Sequence, residues 1–73
     1  MEKPQEIIFL VEDDPEGGLT ARALGESIFT EAGFMPDLKE AVIAALQCHY
    51  EDEADIPRTV RLHRVQDEIL TYA

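Results

Sequence analysis

Glu12, Asp13, Asp14 and Glu16 crowd four carboxylates into one short stretch, and Cys48, His49 and His63 are the only thiol and imidazole groups in the chain. Carboxylates of this kind serve two-metal nucleases, but such a site needs several converging from different elements. These four share one turn, and the interior of the apolar run before them offers no carboxylate. They read as solvated turn residues. A calcium loop is excluded as well, because the alternating oxygen ligands, central Gly and terminal Glu are out of register. Cys48 and His49 are neighbours on a predicted helix, where adjacent side chains point about 100° apart. They therefore share neither one metal ion nor a nucleophile–base contact, and no oxyanion-type glycine motif surrounds them. Arg22, Arg61 and Arg64 could form a basic strip, but sixteen carboxylates compete for them and ordinary ion pairing is expected. No catalytic, cofactor-binding or metal residue is assigned, and the chain is expected not to be an enzyme.

The elements that position these groups follow from local chemistry. Glu6–Glu12, EIIFLVE, is apolar without alternation, the pattern of a central strand covered on both faces. Asp13-Asp14-Pro15-Glu16-Gly17-Gly18 supplies an Asx cap, a preset φ and glycines for positive φ, so a hairpin follows. Leu19–Leu24 alternates as a second strand, with Leu19, Ala21 and Ala23 on one side and Thr20, Arg22 and Leu24 on the other. Gly25-Glu26 turns the chain into a third strand, Ser27–Ala32, which Gly33 ends. Asp37 followed by Glu40 reads as an N-cap with its capping-box partner, opening a helix from Leu38 to Tyr50. Leu38, Val42, Ala45, Leu46 and His49 recur there at helical spacing. The acidic stretch Glu51–Asp55, closed by Pro57, is a loop, and Arg58–Val65 is a fourth strand. The tail from Ile69 to Tyr72 either extends that strand or folds back around Gln66-Asp67 as a short fifth.

The expected fold is α+β, in the order β-β-β-α-β: a three-stranded antiparallel meander, one helix on one face, and the fourth strand parallel beside the first, giving spatial order 3-2-1-4. A single helix covers only one face of such a sheet. Because the first strand is apolar on both, Ile8 and Leu10 should surface opposite the helix with Leu24 and Phe29 nearby. A patch of that kind marks an oligomer or partner interface.

Sixteen acidic residues against six basic ones give a net charge of -10, which repels nucleic-acid phosphate and anionic membrane surfaces. Neither is expected as a partner. A basic protein is, with Asp13, Asp14 and Glu16 at one turn and Glu51, Asp52 and Glu53 at another acting as acidic steering surfaces. The 73 residues make one domain, and a chain this short buries only about 60% of the surface its unfolded form exposes. Homo-oligomerisation is the expected help. One cysteine permits no internal disulfide, which fits a reducing cytoplasmic location. The longest apolar run, Ile7–Val11, is too short for a signal peptide or a membrane span.

The motif Asp14-Pro15-Glu16-Gly17-Gly18-Leu19-Thr20-Ala21-Arg22-Ala23, then Gly25, Thr30-Glu31-Ala32 and the helix opening Leu38-Lys39-Glu40-Ala41, resembles the HicB-like family of small antitoxin proteins. The similarity runs from about Glu6 to Tyr50. It implies a partial ribonuclease-H-like fold. Members that act as antitoxins use this domain to cover the active site of a small basic ribonuclease toxin, and usually carry a further DNA-binding domain. The chain ends at Ala73, so no DNA-binding domain and no repressor role are expected. Where the family commonly has a Pro-Gly element after the second strand, this chain has Leu24-Gly25-Glu26-Ser27, and contacts built on that proline do not carry over. The resemblance implies a protein-binding module that occludes a small basic partner. The alternative is a stand-alone oligomeric domain that senses a small ligand or assembles with other proteins.

Overall fold

A computed structural model describes residues 6–66 and 70–72. Strands β1 (Glu6–Asp13), β2 (Leu19–Ala23), β3 (Phe29–Ala32) and β4 (Thr59–Arg64) form one mixed sheet in the order β3-β2-β1-β4, with one α-helix, α1 (Met35–His49). β1 pairs antiparallel with β2 and parallel with β4, as the two-sided apolar run of β1 predicts. Ile7, Phe9 and Val11 of β1 and Leu19, Ala21 and Ala23 of β2 are buried under the helix, together with Ile28 and the Leu38, Val42 and Leu46 stripe of α1. Among the described residues no polar or charged side chain is buried. The core is therefore held by apolar packing alone.

The first hairpin closes through Asp14 N–H to Gly18 C=O at 3.0 Å and Gly17 N–H to Asp14 C=O at 2.9 Å, while Asp14 Oδ1 accepts from Glu16 N–H at 2.9 Å. Gly18 has φ +87°, and a Cβ there would stand 2.9 Å from the carbonyl oxygen of Ala32 on β3. Gly18→Ala therefore combines a left-handed backbone, which costs an L-residue about 1–2 kcal/mol, with a clash against sheet backbone that cannot swing aside. Gly17, also at positive φ, has open space around its Cβ position. Urea titrations are expected to show the Gly18 substitution the more destabilising of the two. Equal losses would mean that only the dihedral matters.

Several boundaries differ from the expected ones. The helix begins three residues earlier, at Met35, with Phe34 at the N-cap and no side-chain cap, so Asp37 and Glu40 form no capping box. Pro36 explains the earlier start, since a first-turn position loses nothing by lacking an N–H and has its φ preset. Asp37 instead lies in the first turn, where a negative charge meets the positive end of the helix dipole. His49 is exposed at the last helical position rather than part of the buried stripe. β3 starts at Phe29, not Ser27. The acidic loop holds one turn of 3-10 helix, Glu53–Asp55, capped by Asp52, whose Oδ1 accepts from Ala54 N–H at 2.9 Å. Leu70–Tyr72 lie in no strand, and the rest of the expected fifth strand, with Ile69, falls outside the described residues.

Candidate interaction surface

The pleat sends alternate residues to opposite faces, and directly paired residues share a face. The face away from α1 can therefore be laid out row by row from the register. One row holds Arg61, Ile8 and Leu24, the last tied to β1 by Leu24 N–H to Ile8 C=O at 2.9 Å. The next holds His63, Leu10, Arg22 and Phe29, and the one after it Glu12, Thr20 and Glu31. Ile8, Leu10, Leu24 and Phe29 thus share one face, as expected. Ile8 and Leu10 are half-buried by their neighbours, whereas Leu24 is 50% and Phe29 61% exposed.

The three arginines form no strip. Arg61 lies on this open face and grips Glu6, its Nε 2.7 Å and its NH2 nitrogen 3.3 Å from the two carboxylate oxygens. That hydrogen bond holds the Glu6 carboxyl below the usual range. Arg64 falls on the helix side and pairs with Asp13 at 3.2 Å. Arg22 makes no ion pair among the described residues and stands between Leu10 and Phe29 in the middle of the apolar rows. Alternation puts Arg22 on the face of Thr20 and Leu24, as expected, but the ion pairing expected of it is not made, because no carboxylate stands beside it in its row.

The acidic groups lie at the two ends of β1, with Asp13 as its last residue and Asp14 and Glu16 in the hairpin beyond it, and Glu51, Asp52 and Glu53 in the loop leading to β4 at the other end. All but the half-buried Asp14 are exposed. At the second end, burial first and then the carboxylates of Glu26 and Asp55 push the Tyr50 hydroxyl up. The open face is thus near neutral in its middle and strongly negative at both ends.

The thiol and imidazole groups are dispersed. Cys48 is exposed on α1, His49 Nε2 lies 3.4 Å from Glu26, and His63 sits on the open face with the sheet between it and the helix. Among the described residues no three His, Cys, Asp or Glu side chains come together as a metal site would require. Their strand alternation divides Glu12 from Asp13. No helix of the described residues is long and apolar enough to cross a membrane.

Comparison with known proteins places the chain. A protein of Archaeoglobus fulgidus called UPF0150 protein is 55% identical over 51 residues, covering 70% of this chain and 76% of its own length. A UPF0150 protein of Thermotoga maritima is 31% identical over 67 residues, 92% of this chain and 93% of its own. The chain belongs to the UPF0150 family. No family model matches the sequence, and no solved structure gives a significant match. The UPF0150 name states no activity, so function has to be argued from the surface that this fold presents.

Proposed function

We propose that this UPF0150 protein is a non-enzymatic, cytoplasmic binding module that uses its open sheet face to cover a small basic protein. The observation that carries the reading is the placement of Ile8, Leu10, Leu24 and Phe29 on one uncovered face between two acidic ends. Exposed contiguous apolar surface on a small domain marks a site of association, and negative ends favour a cationic partner. The HicB-like resemblance adds a target class, a ribonuclease toxin whose active site is occluded. Arg22 adds a detail of fit. Arg22 is exposed in the free chain, and a partner that covers Leu10 and Phe29 desolvates it, so the partner's contact surface offers apolar side chains around one carboxylate or carbonyl.

The test is co-expression with a small basic protein encoded beside it. A stable complex and loss of the partner's ribonuclease activity are expected, both abolished by Leu10→Asp and by Phe29→Asp with the fold intact by circular dichroism. A neighbouring protein that neither binds nor is neutralised overturns the reading, and an oligomeric sensing or assembly domain then replaces it.

A further inference from the structure

We propose that the groove between α1 and β4 receives the C-terminal segment of a second copy of the chain, so that two copies exchange tails. This interface is separate from the open sheet face. α1 packs on β3 and β2, which leaves the helix side of β4 only partly covered. Lys39, Val42, Ile43, Val60 and Leu62 line the resulting groove, of about 350 Å³. β4 is also an edge strand, so one row of its backbone N–H and C=O groups faces no neighbouring strand of the described sheet. A segment laid along that edge would meet both needs.

Charge selects the occupant. β4 reads TVRLHR, with Arg61, His63 and Arg64 and no acid, so pairing β4 with its own copy would oppose like charges across a twofold axis. The edge calls for an acidic, apolar strand. The segment Gln66-Asp67-Glu68-Ile69-Leu70-Thr71-Tyr72 has two carboxylates, three large apolar residues and no cation. Its described part is unburied, with Leu70 89% and Tyr72 100% exposed. Among the described residues, then, the groove has no cover and Leu70 and Tyr72 have no core around them. Strand alternation places Leu70 and Tyr72 together on the groove side, where Lys39 is a counter-charge for an acidic segment, and His63, which unlike Arg61 is not already held by Glu6, is a second one across the edge.

The chain's own tail is poorly connected for this role. Val65 N–H still bonds to Val11 C=O at 2.9 Å, so the parallel ladder runs on past Arg64. A two-residue turn at Gln66-Asp67 has no Asn or Gly to support it. It would also oppose Leu70 to His63 and Tyr72 to Arg61, which puts both on the open face, and a three-residue turn, which would put them on the groove side, has no Gly in Gln66-Asp67-Glu68 for its left-handed position. A tail from a second copy carries no such constraint, and the exchange is reciprocal, as a closed twofold assembly requires.

The experiment uses the full chain with Cys48→Ser, so that introduced thiols are the only ones. Val60→Cys with Tyr72→Cys is expected to give a disulfide-linked dimer under mild oxidation, and Phe29→Cys with Tyr72→Cys is expected not to. In sedimentation the unmodified chain should run as a dimer at micromolar concentration. Leu70→Asp with Tyr72→Asp should halve that mass while circular dichroism is unchanged, since neither side chain touches the core. Only intramolecular cross-links, a monomeric unmodified chain, or a dimer that survives the tail substitutions overturns the proposal. So does a dimer that Leu10→Asp dissolves and the tail substitutions do not, which would move self-association to the open face.

Discussion

Phe9→Ala leaves the chain without a cooperative unfolding transition at 25 °C. Phe9 is fully buried at the centre of β1, with β2 on one side and β4 on the other, and is among the largest side chains wholly out of solvent. Truncating a buried Phe to Ala costs about 3–5 kcal/mol, the lost transfer free energy plus the cavity left behind. A core in a domain below 80 residues supplies about the same, 3–5 kcal/mol. The two magnitudes match, so the substitution removes essentially all the stability. Phe9→Leu leaves a smaller cavity and should retain a urea transition at a lower midpoint. Phe29→Ala, on the same sheet but facing solvent, should stay within about 0.5 kcal/mol of the unmodified chain, as surface substitutions do. A Phe9→Ala chain that unfolds cooperatively near the original midpoint would refute this account of the core.

That contrast between two phenylalanines was legible in the sequence. β1 is apolar at successive positions while β2 alternates, and the turn residues at Asp13–Gly18 join them in one register, so the face of each side chain follows from the pleat. The helix start was not legible. Asp37 and Glu40 have capping-box spacing, yet Pro36 can occupy a first-turn position without losing a hydrogen bond, so the helix extends past them to Met35. The turn at Glu53–Asp55 was hidden for a different reason: an acidic run reads only as solvated, while Asp52 spends its side chain on the Ala54 N–H. The α1–β4 groove depends on which strands the helix sits over, and periodicity specifies which side of a helix is apolar without specifying where it lies across a sheet. The faces of the arginines follow from alternation, but that Arg61 meets Glu6 and Arg64 meets Asp13 needs the register of β4 against β1.

Reversing charge at the two ends of β1 should slow association with a basic partner without much changing dissociation. Glu16, Glu51 and Glu53 are the residues to change, because all three are exposed and their carboxylates make no hydrogen bond or ion pair among the described residues, whereas Asp13, Asp14 and Asp52 are engaged by Arg64, Glu16 and Ala54. Glu16→Lys, Glu51→Lys and Glu53→Lys together change the charge by six, from -10 to -4. Steering by a charged surface raises encounter rates by about 10- to 1,000-fold, so at low salt the triple variant should associate at least about ten times more slowly. Its dissociation rate should move by no more than a few-fold, since these side chains flank the apolar rows and are not pressed into them. Phe29→Asp should do the reverse, speeding dissociation far more than it slows encounter. Added salt separates the two effects further: at 0.1 M the screening length is about 10 Å, shorter than the reach of β1, which at about 3.3 Å per residue holds the acidic ends more than 20 Å apart. Each end then acts alone and weakly, so the unmodified chain should slow steeply with salt while the triple variant barely responds. Stopped-flow mixing across a salt series measures both rates. If the triple variant dissociates faster in proportion to its lost affinity, the acidic ends are part of the contact, and the division into an apolar face and steering ends fails.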